Sequence, residues 1–384
     1  MADAADLLPG LPGLPDDIAI WEILIRLPPK PLLRCRAVSP AWRRATSSRD
    51  FLLSHHARQP ALHLLESHSD DDDGDAPLSL KIVTFDHRAA AAAGRLQPVA
   101  RLKMPPSDAH PSATPRMYLA ASRDGLLLLY HFHSESFDLC ICNPATRQYA
   151  PLHQLKGFIP MGMYPHPSST GGDYRLLLCL PAEDAAFVFT LGSAHPPRHI
   201  GCLPDPLLLE DADGLLFQGS IYWYTDVGIL VFDTTNESFR RIRAPVGAPP
   251  ASHDARVFIM GDMLALFGPN DQGTAIDTWV MPNRQEEVWD FKCRVKLPVA
   301  ETRQQCRCSE HEQVVMVVPG DDGGLLILIS CDPWLFQVDT DGNLIASFHP
   351  RGITATHSVL KKTLVQHTFF PTLEGYVVNA PPFI

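Results

Sequence analysis

Residues 231–239 read Val231-Phe232-Asp233-Thr234-Thr235-Asn236-Glu237-Ser238-Phe239. An apolar run ends at an Asp, turn-forming residues follow, and an aromatic returns six positions after the Asp. Asn, Asp and Gly supply turn conformations, and the two-residue period of a strand then brings an apolar side chain back to a packed face. The pattern recurs as Ile141-Cys142-Asn143-Pro144-Ala145-Thr146-Arg147-Gln148-Tyr149. It recurs again as Gln337-Val338-Asp339-Thr340-Asp341-Gly342-Asn343-Leu344-Ile345, with Ile345 in the aromatic place. From Asn143 to Asp233 is 90 residues and from Asp233 to Asp339 is 106. Half of each interval is close to the ~40–50 residues of one propeller blade.

Strand-like runs fill the intervals, at Arg175–Leu191, Met263–Phe267 and Asp277–Met281, with Trp289 beyond. Asp124-Gly125-Leu126, Asp213-Gly214-Leu215 and Gly323-Gly324-Leu325 each place a Gly before an apolar run, as if opening a blade. About six blades fit, and the C-terminal stretch leaves a seventh open; a pair of β-sandwiches is the alternative. Ala61–Leu65 and Leu80–Phe85 read as two earlier strands around the tract Ser69–Asp75. A calcium-loop frame on that tract fails, because Leu80 falls where the bidentate Glu should stand. The tract reads as a solvated hairpin loop, and Ala89–Ala93 as a variable loop.

The first sixty residues differ in kind. They carry eight Lys/Arg against six Asp/Glu, whereas the rest of the chain carries 24 against 37. An acidic body disfavours nucleic acid and anionic membranes, whose affinity depends on clustered cations. The 36 prolines in 384 residues argue against a mostly helical architecture. No apolar run approaches the ~20 residues that span a bilayer. No basic-then-apolar segment opens the sequence, so the expected location is the cytoplasm, the nucleus or both, in soluble form. Nine cysteines without a secretory signal are expected as reduced thiols.

Within those sixty residues, Asp16–Arg26 has a helical pattern, with Asp16 and Asp17 positioned to cap it. Its polar face is narrow, chiefly the i,i+4 pair Glu22 and Arg26, so the helix must be covered on most sides. A second helix fits Pro31–Ala37. A third starts with Ser39 as N-cap and Pro40 in the first turn. Phe51-Leu52-Leu53 suggests one further turn. A module of this size cannot wrap its first helix, so apolar surface is left for a protein partner or for the rest of the chain.

Leu14-Pro15-Asp16, Ile23-Leu24, Arg26-Leu27-Pro28, Leu32-Leu33, Arg36, Val38-Ser39 and Trp42-Arg43 stand in the order and spacing of an F-box. The segment from Leu14 to about Arg44 resembles its plant form, with Pro40 as a departure. The resemblance implies that this module packs against the Skp adaptor of a cullin–RING ubiquitin ligase. The contact candidates it implies are Leu14, Pro15, Ile18, Leu24, Leu27, Pro28, Leu32, Leu33, Val38 and Trp42. Gly219–Trp223, Ile229–Asp233 and Asp277–Met281 resemble pieces of the F-box-associated, kelch-like β-propeller of plant F-box proteins. The fold expected is therefore multidomain α+β. Residues 1–9 are a flexible start, 10–58 a small three-helix F-box, and 60–384 an all-β propeller-like domain of about six blades.

Catalytic patterns are lacking. The sequence has no G-x-x-x-x-G-K-[ST], no G-x-G-x-x-G and no G-x-S-x-G, and His311-Glu312 meets Val315 where a zincin needs its second His. Cys140/Cys142 read as strand neighbours on one face of a sheet. Cys306, Cys308 and His311 are a weak metal set, and neither a metal nor a cofactor is assigned. The expected role is a non-catalytic substrate receptor that binds the Skp adaptor through the F-box and an unidentified target protein through the propeller. A scaffold or decoy, and a ligand-sensing or metal-binding propeller, are the alternatives.

Overall fold

The computed structural model describes residues 15–69, 79–89, 95–103, 117–133, 136–166, 173–180, 183–204, 214–251, 255–306, 314–319, 324–331, 333–349 and 352–383. The chain divides into two units. One ends at Ala61 and also takes in Lys361–Gln366; the other comprises Leu62–Leu360 and His367–Ile384.

The smaller unit is helical. Its first segment begins as α1 (Asp16–Ile18), widens to a π turn over Ala19–Ile23 and tightens to a 3₁₀ turn over Leu24–Arg26. Asp16 and Asp17 lie in the first turn but do not cap it; Pro15 is the N-cap residue and has no side-chain hydrogen bond. The carbonyl of Pro15 instead accepts from the N–H groups of Ile18 (3.0 Å) and Ala19 (3.1 Å). The wide turn, in which Leu24 N–H reaches the Ala19 carbonyl, lets Ala19 and Leu24, five apart, both be buried. Then come α2 (Pro29–Val38), α3 (Pro40–Thr46) and α4 (Arg49–Arg58). Ser39 caps α3 through Trp42 N–H and Ser48 caps α4 through Phe51 N–H, each at 3.4 Å. The single turn expected around Phe51 is thus a ten-residue helix. Lys361 Nζ donates to the Ala57 carbonyl (2.8 Å), which ties Lys361–Gln366 to the end of α4.

The larger unit is a six-bladed β-propeller. Blades two to six are antiparallel sheets built in chain order, from β4 (Met117–Arg123) to β7 (Gln148–Pro151), β8 (Ile159–Pro165) to β11 (Arg198–Cys202), β12 (Leu215–Phe217) to β15 (Ser238–Ile242), β16 (Arg256–Met260) to β19 (Asp290–Lys296) and β20 (Val314–Pro319) to β23 (Leu344–Phe348). First strands touch one another from blade to blade, so they line the centre. Blade one combines β1 (Ala61–Ser69), β2 (Ser79–Phe85) and β3 (Leu96–Lys103) with β24 (Ile353–Lys361) in the inner position. The C-terminal stretch is therefore no seventh blade. It closes the ring, and β25 (Val377–Val378) then adds a fifth strand outside β7.

Six apolar clusters fill the wedges, one between each neighbouring pair of blades among the described residues. Phe369, Phe370 and Leu373 join the wedge between blades two and three. Cys140 and Cys142 pack in the wedge between blades one and two, as the strand reading expects. Among the described residues seven cysteines are free thiols, but Cys331 is disulfide-bonded, which corrects the expectation of thiols throughout.

The three turns quoted above all join the third and fourth strands of a blade. Asn143 Oδ1 accepts from Ala145 N (3.0 Å), Asp233 Oδ1 from Thr235 N (2.8 Å) and Asp339 Oδ1 from Asp341 N (3.0 Å). Arg147 and Glu237, each four residues on, have φ of 53° and 50°. Blade five repeats the device: Asn283 Oδ1 accepts from Gln285 N (2.9 Å), Glu287 has φ 53°, and Trp289 is the aromatic six positions on. The glycines are less regular than expected. Gly125 and Gly324 precede second strands, whereas Gly214 precedes a first strand. Asp213, Gly323 and the tracts 70–75 and 90–93 lie outside the described residues.

Asp233 also takes the backbone N–H of Asn236, which, with its other turn contacts, holds its carboxyl below the usual value. That contribution is present above the ordinary carboxylate pKa of ~3.9 and is lost as pH falls through the lower folded value. Asp233→Ala is expected to cost about 1–2 kcal/mol in urea unfolding at neutral pH. Asp233→Asn, which keeps the acceptor oxygen, should stay close to the parent.

Candidate functional site

The helical unit holds an unusual share of exposed apolar side chains. Of the thirteen large hydrophobics exposed among the described residues, six are Ile18 (44%), Trp21 (42%), Ile23 (48%), Leu33 (42%), Val38 (72%) and Leu53 (44%). They fall within 36 consecutive residues. Single exposed hydrophobics are ordinary, whereas six within so short a stretch form an apolar patch of the kind interaction sites present.

The interior explains why these side chains face outward. Ile20, Leu24, Ile25, Leu32, Phe51 and Leu52 are buried, and Ile25, Leu32 and Phe51 are each 0% exposed. Trp21 leans on Phe51 with ring centroids 5.4 Å apart, its other side open. Arg36 Nε donates to Thr46 Oγ1 (2.9 Å), and Thr46 Oγ1 donates to the Trp42 carbonyl (2.7 Å), pinning α2 against α3. Glu22 and Arg26 form the anticipated i,i+4 bridge at 2.7 Å, largely in solvent.

Of the ten contact candidates, Pro15, Ile18, Pro28, Leu33 and Val38 are exposed, and Leu27 and Trp42 are half-buried. Leu24 (3%) and Leu32 (0%) belong to the interior and support the surface from beneath. Leu14 lies outside the described residues. Trp21, Ile23 and Leu53 are exposed side chains absent from the contact candidates; Ile23 stands in the quoted motif and Trp21 in the same largely apolar run, which was the available signal.

The bend at Leu27–Pro28, where the backbone turns extended, is held from below by a histidine. His55, 0% exposed, has Nε2 2.8 Å from the Leu27 carbonyl, and Gln59 Nε2 donates to the same oxygen at 3.2 Å. With Nε2–H donating, Nδ1 is buried without a hydrogen-bond partner. Burial, with Arg36 and His56 nearby, lowers the His55 pKa despite the opposing Leu27 bond.

In the propeller, charged residues tie blades together. Glu237 pairs with Arg175 at 2.5 Å and also with Arg198, joining blades three and four. Arg284 lies over the rings of Phe217 (5.8 Å) and Tyr222 (5.7 Å), joining blades four and five. Cys306 Sγ approaches the Cys331 carbonyl at 3.7 Å, while Cys308 and His311 lie outside the described residues. Among the described residues no group of three or more His, Cys, Asp or Glu is placed to hold a metal. No described helix is long and apolar enough to cross a membrane.

Residues 98–358 match the F-box associated beta propeller domain family, and residues 11–54 match the F-box domain. The chain belongs to the F-box-associated β-propeller family. An F-box/kelch-repeat protein of Arabidopsis thaliana is 22% identical over 311 residues, covering 72% of this chain and 70% of its own. Another Arabidopsis F-box protein is 23% identical over 316 residues, covering 73% of this chain and 65% of its own. Among solved structures, apo AztD from Citrobacter koseri is similar over 79% of this chain and 100% of its own, at 11% identity and a TM-score of 0.38. That likeness is too weak to speak for function.

The neutral His55 gives the F-box a pH dependence. Its folded pKa lies below the ordinary ~6.5, so its share of stability is complete above that value. That share declines as pH falls below it, because only the unfolded chain then takes up the proton. Hydrogen exchange of α4, corrected for intrinsic rate, should show less protection at pH 5.5 than at pH 7.5. His55→Gln, which can still donate to Leu27 and does not titrate, should flatten that difference.

Proposed function

We propose that this F-box protein is the substrate receptor of a Skp–cullin–RING ubiquitin ligase, anchored to the Skp-family adaptor by the exposed apolar side chains of its helical unit. The observation that carries the reading is the concentration of Ile18, Trp21, Ile23, Leu33, Val38 and Leu53 at the surface of an F-box whose own interior is already filled. Those side chains lose water on binding, and the polar remainder of the surface orients the contact.

The propeller then holds a target protein near the ubiquitin-charged enzyme. Receptor and ligase joined in one complex turn target modification into an effectively intramolecular event, so the gain is local concentration and orientation. The receptor supplies no acid, base or nucleophile. Propeller loops vary over rigid blades, which suits recognition of a protein surface.

Co-purification with a Skp adaptor tests the anchor. Ile18→Asp, Leu33→Asp and Val38→Asp place charge at exposed positions, so each variant should fold while adaptor affinity falls by at least about tenfold, ~1.4 kcal/mol. Leu32→Ala instead empties a buried site and should lower stability by about 2–5 kcal/mol. Full adaptor affinity in all three folded Asp variants would remove this surface as the anchor.

A further inference from the structure

We propose that the outer rim of blades four and five is the docking surface for an acidic, extended segment of the target protein. The proposal rests on the receptor reading above and names where and what the receptor recognises.

The chain carries a formal net charge of −11, and its propeller region is more acidic still. Against that background, the outermost strands β15 and β19 and the residue just past β15 carry Arg240, Arg243, Lys292, Arg294 and Lys296, all exposed. The register explains how they come together. Arg240 pairs with Val231, whose side chain fills the wedge toward blade five. On the facing sheet, Phe291 pairs with Trp279, Arg294 with Asp277 and Lys296 with Ala275. Phe291, Arg294 and Lys296 thus share the side of β19 that faces blade four. Lys292 sits at the register shift between Thr278 and Trp279, and a bulge of that kind re-aims its side chain and keeps the edge from pairing indiscriminately.

Two of the cations are fixed in place. Arg294 holds Asp277 through two bonds (2.6 and 2.7 Å), and Arg240 pairs with Glu287; the neighbouring Arg241 turns the other way, toward blade three, and donates to the Pro204 carbonyl. Among the described residues no ion pair engages Arg243, Lys292 or Lys296, so their charge is available to an incoming anion. Apolar surface lies beside them. Phe291 and Val288 are each 56% exposed, and Phe291 is braced edge-on by Trp279 at 5.8 Å.

No other described rim offers the same combination. The outer strands β7 and β23 carry no charged residue, β7 is covered by β25, Arg198 of β11 is engaged by Glu237, and β3 carries Arg101, which donates to Ser79 Oγ, and Lys103 but no exposed large hydrophobic. Cations flanking an exposed aromatic between two sheet edges fit an extended peptide that alternates carboxylates with apolar residues. Charge would set its encounter rate and register, and Phe291 would bury its apolar side chains.

The test uses the full-length chain and a fluorescein-labelled peptide of alternating Asp/Glu and Leu, read by anisotropy across a salt series. Adaptor capture is measured on the same preparations. The parent should bind with affinity that falls as salt rises. Arg243→Glu/Lys292→Glu/Lys296→Glu should lose at least about tenfold in affinity, whereas the control Lys103→Glu/Lys156→Glu should change less than about twofold. Equal binding by the two variants overturns the rim. So does tighter binding of a single-stranded RNA matched in charge, which would mark an unselective polyanion surface. A parent that captures adaptor but not peptide also sinks the rim and leaves the receptor reading standing. A parent that binds peptide through the rim but captures no adaptor sinks the receptor reading instead.

Discussion

The larger unit depends on one pairing, that of β24 with β1. Residues 353–361 supply the inner strand of a blade whose other strands lie near the start of the unit. Without it the ring has two ends, and the wedge clusters on either side of blade one lose Leu360 on one flank and Ala355 on the other. Closing so long a loop is entropically costly but grows only logarithmically with length, and burial of two wedges offsets it. The pairing also ties each wedge to its neighbours, since every blade is shared by two clusters.

Closure has a second consequence. After β24 the chain contributes Lys361–Gln366 to the helical unit, then returns to the propeller as Phe369, Phe370, Leu373 and β25. The helical unit is thus completed by a segment from far along the chain, with Lys361 Nζ on the Ala57 carbonyl at the end of α4. Both units use the C-terminal forty residues, although their own folds have nothing in common.

Much of this was legible in local sequence. The Asn/Asp turns at 143, 233 and 339 announced themselves because one side chain and two or three backbone N–H groups, all within five residues, decide the geometry. The same logic placed Ser39 and Pro40 at the start of α3. The Asn283 turn escaped notice although its spacing to Trp289 is the same, because the preceding Met281-Pro282 breaks the look of the strand end. The glycines misled for a related reason: a Gly before an apolar run looks alike whether a first or a second strand follows.

The candidate surface was legible only in part. A first helix that is apolar on most sides, in a module too small to enclose it, dictates that some of its side chains stay exposed, and the F-box spacing identifies the module. Which side chains those are was decided by packing. The π turn buries Ala19 with Leu24 and leaves Trp21 and Ile23 outside, and α2 turns Leu32 inward but Leu33 and Val38 outward. The rim of blades four and five was invisible in the sequence, since Arg240 and Lys296 are 56 positions apart and are set on facing sides of neighbouring blades only by strand register and blade order. By itself the sequence determined the two kinds of domain, the blade period and the F-box, because each rests on contacts a few residues long. Ring closure, the exposed face of the F-box and the basic rim were left to the tertiary structure, because each joins side chains whose proximity is set by how whole sheets and helices pack.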